Sequence, residues 1–269
     1  MGDGLRAVVF DVDGTLVDSE RHGHRVAFNL AFEALDQPYH WDEEVYGDLL
    51  RVTGGQRRLH HYLTEQGMGE DERARLVPEL HARKTEILSE LVDAGRVEVR
   101  PGVPRLLGEL AGAGCTLAVA TTGSRGWVER LLDRLLPGVE FATVVTGDDV
   151  TERKPDPEAF TVAVERLDVE PAATVVVEDS GEGLTAAVAA GLACVVVVNG
   201  YTAGHDLDAA DLVLDGFGEP GSPATVLADR AGTECDGVLD LAALRRVGSS
   251  PGGEGRLGRH DHGWPEGQP

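Results

Sequence analysis

The sequence predicts an α/β protein: a doubly wound, Rossmann-like parallel sheet carrying an inserted all-helical cap domain. Three observations carry that reading. Short runs rich in valine and alanine recur between Val8 and Val198, as strands covered on both faces require. From Pro101 onward these runs alternate with segments of helical period, the pattern of a parallel sheet. Between the first strand and the second, residues 18–97 are rich in charged helix formers and hold no strand-like run.

The first strand passes through Val8-Val9-Phe10 and ends at Asp11. Helical patterns follow at Arg25 to Leu35, Tyr46 to Leu50, Gln56 to Gln66 and Glu72 to Val92. The first of these places Val26, Leu30 and Ala34 on one side. The chain leaves the helical insertion near Val99-Arg100-Pro101-Gly102. A helix over Val103 to Ala113 then leads to a strand at Thr116 to Ala120, and one over Trp127 to Leu136 leads to Phe141 to Thr146. Pro157 to Leu167 precedes a strand at Thr174 to Val177; Gly183 to Ala190 precedes Cys194 to Val198. Ala210 to Val213 is the candidate last strand. The expected organisation is a core domain from 1–17 and 98–247, a cap from 18–97, and a tail, 248–269. The tail is Gly/Ser/Pro-rich and is expected to be disordered. His260, Asp261 and His262 could chelate a metal there, although tails of this composition are usually inert.

At 269 residues with 42% hydrophobic content, the chain can bury a substantial core. A formal net charge of −23 argues against a nucleic-acid or anionic-membrane surface. Cys115, Cys194 and Cys235 are scattered; the first two lie in apolar contexts and read as core thiols. No secretory pattern or long apolar span is visible, so a cytoplasmic protein is expected.

The chemistry begins at Asp11-Val12-Asp13-Gly14-Thr15. Two carboxylates cannot end an apolar strand inside a core without a partner, because unpaired buried charge costs several kcal/mol or more. An acidic turn facing solvent would also suffice. Three further stretches favour a metal and a phosphate. A second strand ends in Thr121-Thr122-Gly123. Lys154 sits in the proline-stiffened Arg153-Lys154-Pro155-Asp156-Pro157. A third apolar strand ends in Glu178-Asp179-Ser180-Gly181. Carboxylates supply hard oxygens for Mg²⁺, hydroxyl and amide groups hold phosphoryl oxygens, and the lysine balances charge.

These four motifs, in this order, resemble the haloacid-dehalogenase superfamily of phosphatases and mutases. The resemblance implies that Asp11 is the nucleophile, forming an aspartyl-phosphate, and that Asp13 is the general acid/base. It implies that Thr121 and the N–H of Thr122 grip the phosphoryl group and that Lys154 pairs with phosphate and Asp11. It assigns Mg²⁺ to Asp11, the carbonyl of Asp13 and Asp179, with Glu178 a direct or indirect partner. Asp13 argues against dehalogenase chemistry, which lacks this second aspartate. A non-catalytic phospho-ligand binder would be expected to lose Asp11 or Asp13, and both are present.

Within the insertion, the stretches from Ser19 to Arg25, Tyr46 to Arg58 and His81 to Glu86, with Gly200-Tyr201-Thr202, resemble the CbbY-like branch. That branch implies dephosphorylation of xylulose-1,5-bisphosphate, a Rubisco inhibitor, to xylulose 5-phosphate. A bisphosphate needs a second basic pocket. Arg51, Arg58 and Lys84 are candidates for it, and Gly54-Gly55 before a helix could present N–H groups to the anion. Alternatively these basic residues form a solvated helix face. Glu20, His24 and Tyr46 could bind sugar hydroxyls, whereas His22, His60 and His61 read as surface residues. The rivals are a β-phosphoglucomutase-like mutase and a phosphoglycolate-type phosphatase. Mutases of that kind carry a histidine at the position of Gly23, one residue before His24. The only expected partner is a small sugar phosphate, and the protein is expected to be a monomer.

Overall fold

The computed structural model describes residues 4–250. The tail's possible metal-binding residues, His260, Asp261 and His262, lie outside that range. Strands β1 (Ala7–Phe10), β2 (Thr116–Ala120), β3 (Thr143–Val145), β4 (Thr174–Glu178), β5 (Ala193–Val197), β6 (Leu212–Leu214) and β7 (Val226–Asp229) build one sheet. Its order is β3-β2-β1-β4-β5-β6-β7. All neighbouring pairs are parallel except β6 with β7. The chain steps outward one way from β1 to β3, then the other way from β4 to β6. The direction therefore switches between β1 and β4, where a doubly wound sheet opens a crevice beyond its carboxyl ends. Phe10 is level with Val119 on one side and Val177 on the other. Asp11, the end of β2 and Glu178 consequently emerge at one height.

Alternation along the strands feeds two apolar layers. Val8, Phe10, Val175, Val177, Val195 and Val197 belong to one, with α5 (Val103–Gly112), α6 (Arg125–Leu135) and α9 (Leu241–Gly248). Val9, Val176, Cys194 and Val196 belong to the other, with α7 (Glu158–Leu167) and α8 (Gly181–Ala189). Cys115 and Cys194 are buried free thiols, as expected. No helix among the described residues is long and apolar enough to cross a membrane.

Residues 25–93 supply α1 (Arg25–Ala34), α2 (Glu43–Leu49), α3 (Gly55–Glu65) and α4 (Glu70–Asp93). The expected side of α1 is corrected. Ala27, Phe28, Ala31 and Phe32 are buried while Leu30 is 37% exposed. The two phenylalanines pack on Trp41 at 4.7 and 5.1 Å between ring centroids, so aromatic burial overrides the Val26/Leu30/Ala34 stripe. Other boundaries also move. The strand expected over 141–146 is confined to β3, and the one expected at 210–213 begins at Leu212. β7, α9 and a π-helical turn over Glu20–His24 were not anticipated. In that turn the amide of Arg25 bonds back to the Glu20 carbonyl, five residues earlier.

The two connections between the helical segment and the sheet run side by side. Val17 bridges Val99 antiparallel. The Asp18 amide donates to the Glu98 carbonyl at 3.1 Å, and that of Arg100 to the Leu16 carbonyl at 3.0 Å. The Arg100 guanidinium then donates to the carbonyls of Gly14, Val197 and Val198 at 2.7–2.8 Å.

Candidate active site

Asp11 follows β1 directly, its amide donating to the Val177 carbonyl at 3.0 Å. The chain then turns sharply through Gly14, whose φ is +92°. A Cβ there would lie 2.6 Å from Asp179 Oδ2, so the turn needs glycine both for its backbone and for space. Asp179 leaves the end of β4. Thr15 Oγ1 donates to its Oδ1 at 3.0 Å and Asn199 Nδ2 to its Oδ2 at 2.7 Å. Lys154 Nζ enters from the loop before α7 and donates to Asp11 Oδ1 at 2.8 Å, Glu178 Oε1 at 2.6 Å and the Ala120 carbonyl at 2.9 Å. Thr121 and Thr122 follow β2, and the Gly123 amide donates to Thr121 Oγ1 at 3.2 Å.

Three buried carboxylates, Asp11, Glu178 and Asp179, each bring an oxygen within 4.8 Å of the others. Among the described residues, Lys154 is their only ammonium partner, which leaves a formal charge near −2. Burial pushes the Asp11 carboxyl up to about 7 against the pull of Lys154. Burial, then Glu178 and Asp11, push Asp179 well above the usual carboxylate range. Burial opposes the charge on Lys154, but Asp11 and Glu178 hold its pKa above the ordinary value. This donor set, all hard oxygen with a deficit of two positive charges, fits a divalent cation such as Mg²⁺. Glu178 is the least available oxygen donor. Its Oε2 accepts from the Asp179 and Ser180 amides and from Ser180 Oγ, at 2.9–3.1 Å, while Oε1 holds Lys154. Each Asp179 oxygen accepts one such bond and keeps a lone pair for a ligand.

Asp13 lies in the turn after β1. Ser19 Oγ donates to its Oδ1 at 2.6 Å and His24 Nε2 meets the same oxygen at 3.1 Å. Burial would raise its pKa, but His24, Ser19 and Lys84 outweigh burial and hold it at about 2. Lys84 Nζ lies 2.6 Å from His24 Nδ1. An ammonium is donor only, so Nδ1 accepts and Nε2 carries the proton offered to Asp13. The π-turn carries His24, and its ring reaches Asp13 despite the one-residue offset. The position of His24 therefore does not separate phosphatase from mutase.

A cavity of about 1220 Å³ lies between the sheet's carboxyl edge and the helical segment. Asp11, Asp13, Thr121, Thr122, Lys154, Glu178 and Asp179 line it from the sheet side, and Glu20, His24, Arg51, Gly54, Gly55, Arg58 and Lys84 from the helical segment and its approach. Tyr46 is the exception. It is fully buried and absent from the cavity wall, where its hydroxyl bonds Glu20 Oε2 and accepts from Arg58 Nη1 at 3.1 Å. It braces two lining residues from behind. Arg58 is buried, its Nε also donating to the Leu49 carbonyl at 3.0 Å, whereas Arg51 is exposed. The structure adds Ser19, Thr15, Asn199, Arg100 and Trp127 to the site. Asn199 could have been found, because it is the first polar residue after the apolar run Cys194 to Val198, as Asp11 is after the run ending at Phe10. Trp127 carries no such signal, since an aromatic on an amphipathic helix reads as core. His22 and His60 are exposed, as expected.

A family model described as haloacid dehalogenase-like hydrolase matches residues 5–191. The chain belongs to the haloacid dehalogenase-like hydrolases. Within that family it is a CbbY-like phosphatase. It is similar to Protein CbbY of Cereibacter sphaeroides, 41% identical over 223 residues covering 82% of this chain and 96% of that one. A CBBY-like protein of Arabidopsis thaliana is 39% identical over 222 residues, 80% of this chain and 70% of its own length. Among solved structures, a mutant CbbY from Rhodobacter sphaeroides in complex with xylulose-(1,5)bisphosphate is 39% identical, with a TM-score of 0.73. The match covers 81% of this chain and 96% of that one. The match extends past the hydrolase core into the helical segment that walls the cavity.

Proposed function

We propose that this protein is a Mg²⁺-dependent phosphatase that converts xylulose-1,5-bisphosphate to xylulose 5-phosphate through an aspartyl-phosphate on Asp11. The observation that carries this reading is a cavity lined by two sets of cationic groups. The sheet side supplies Lys154 among Asp11, Glu178 and Asp179; the helical segment supplies Arg51, Arg58, Lys84 and the uncapped start of α3 at Gly54-Gly55. A substrate with a single phosphate leaves the second cationic set without a role. The similar CbbY from Rhodobacter sphaeroides, solved with xylulose-(1,5)bisphosphate, supports the choice of ligand.

Asp11 and Asp179, with the Asp13 carbonyl, would hold the cation. Bound there, Mg²⁺ would cancel the repulsion between carboxylate and phosphate and polarise the phosphoryl oxygens. Lys154 orients Asp11 and adds a second positive charge where negative charge builds up. Asp11 attacks phosphorus, and Thr121 and the Thr122 amide steady the phosphoryl oxygens. Asp13 is ionised before substrate binds. The incoming phosphate dianion raises its proton affinity, so that it takes up a proton on binding, gives it to the leaving sugar oxygen, then takes one from the water that cleaves the acyl phosphate. Residues 18–97 serve as a cap that excludes water from the reacting phosphate and reads the sugar.

The test is phosphate release from xylulose-1,5-bisphosphate, ribulose-1,5-bisphosphate, β-glucose 1-phosphate and phosphoglycolate, by native protein and Asp11→Asn. Strong preference for the xylulose compound, lost in the variant with the fold retained, is expected. Undiminished release by Asp11→Asn would remove Asp11 as nucleophile. The His24–Asp13 contact keeps one second reading in play, a sugar-phosphate mutase. Isomerisation of β-glucose 1-phosphate without net phosphate release would establish it.

A further inference from the structure

The two oxygens of the Asp13 carboxylate have unequal surroundings. Oδ1 is taken by Ser19 and His24. Among the described residues, the only donor to Oδ2 is the indole Nε1–H of Trp127, at 3.4 Å, which lies equally 3.4 Å from Oδ1. Oδ2 also stands close to Gly123, whose Cβ would meet Val128 Cγ2 at 3.0 Å, Trp127 Cδ1 at 3.3 Å and Oδ2 at 3.5 Å, so a side chain there would crowd it. Asp13, Thr121, Thr122, Gly123 and Trp127 line the same cavity. The indole is itself fixed. Trp127 is 7% exposed on the first turn of α6, and its ring meets His24 edge-on at 5.4 Å.

We propose that Trp127 is a positioning residue that aims Asp13 Oδ2 at the departing oxygen of the substrate. The inference rests on the reading of Asp13 as general acid/base. An indole N–H only donates, so a proton on Asp13 cannot point at Trp127. Two donors already occupy Oδ1. The proton therefore resides on Oδ2 and is directed into the cavity. As the bond from Asp11 to phosphorus forms, the bond from phosphorus to the sugar oxygen breaks. Its electron pair stays on that oxygen, which takes the Oδ2 proton. In the second half, water oxygen bonds phosphorus, the Asp11–phosphorus bond breaks, and the water proton returns to Oδ2. The shared N–H fixes the plane of the carboxylate so that the same oxygen faces both events.

The test compares a sugar phosphate, whose alkoxide needs a proton to leave, with p-nitrophenyl phosphate, whose phenolate does not. kcat/KM reports the first phosphoryl transfer in each case. Trp127→Phe is expected to lower kcat/KM for the sugar phosphate at least about tenfold and to change the aryl value less than about twofold. Benzothienylalanine at position 127, which exchanges the N–H for sulfur and keeps the ring shape, should reproduce that split even if the phenylalanine variant folds poorly. Equal losses on both substrates, or none on the sugar phosphate, would overturn the proposal. Asp13→Asn is run alongside. If it shows the split and the Trp127 variants do not, the Trp127 role fails and the acid/base reading stands. If Asp13→Asn shows no split, both fail.

Discussion

Lys84 enters the interior with 5% of its surface exposed, its ammonium against His24 and over the Phe28 ring at 5.0 Å. Burial, reinforced by Arg58 and opposed by Glu20 and Asp13, pushes its pKa from 10.5 down to about 8. Between those values the unfolded chain binds more protons than the folded one. The burial penalty is therefore fully present below pH 8 and is relieved as pH rises towards 10.5. Its order of magnitude is about 3 kcal/mol. Lys84→Met should stabilise the protein by about 1–3 kcal/mol at pH 7 in urea unfolding, with the gain shrinking above pH 8, while phosphatase activity falls. Destabilisation at pH 7 would refute this account. Of the residues the structure brings together, Asp11, Asp13, Glu178 and Asp179 were legible because their charge ends an apolar run, and Lys154 because prolines stiffen its loop. The position of Tyr46 behind Glu20 and Arg58 was not legible, because only packing decides whether a phenol faces a cavity or stands behind its wall.

Among the elements, α8 bears most directly on the chemistry. Ser180 caps its start, accepting from the Gly183 amide at 3.0 Å. A Cβ on Gly183 would fall 1.8 Å from Glu178 Oε1, the oxygen that holds Lys154. Gly183→Ala should displace that carboxylate, cost roughly 1–3 kcal/mol of stability, and lower kcat at least about tenfold through the released lysine. Unchanged kcat with lowered stability would show that Glu178 does not position Lys154. Long elements with clear periodicity, such as α3 and α4, were legible. β7 was not, because its pattern alternates partly buried and exposed residues at a sheet edge. The π-turn was unreadable for a different reason. Nothing in Glu20-Arg21-His22-Gly23-His24 distinguishes a five-residue turn from an ordinary one, and only the pull of His24 towards Asp13 reveals its use.

On the scale of the whole molecule, three buried carboxylates, Asp11, Glu178 and Asp179, gather where two halves of one sheet diverge. A divalent cation bound to the folded state alone adds RT ln(1 + [L]/Kd), about 2.7 kcal/mol at a hundredfold excess over Kd. Mg²⁺ should therefore raise the unfolding temperature by several degrees, and Asp179→Asn should abolish the shift. An equal shift in both proteins would place the cation elsewhere. The −23 net charge and an acidic cavity rim that includes Glu43, Glu44, Asp48, Asp206 and Asp208 make a second effect expected. An anionic substrate approaches against repulsion, so kcat/KM should rise as salt shortens the Debye length from about 30 Å at 0.01 M to about 8 Å at 0.15 M. A fall over that range would mean that the cationic interior governs approach.

The paired connections at Val17–Val99 and Asp18–Glu98 bear on how such a molecule could open. Two separate tethers would let the helical segment twist and slide independently. Two chains stitched together by hydrogen bonds act as a single leaf hinge, pliant to folding across its plane and stiff to shear within it. Arg100 bolts one edge of the leaf to the turn after β1 and to the end of β5. Swinging on such a leaf has one degree of freedom, so Glu20, His24, Arg58 and Lys84 would travel in concert. Their alignment with Asp13 would then be an all-or-none event, like a latch meeting its keeper.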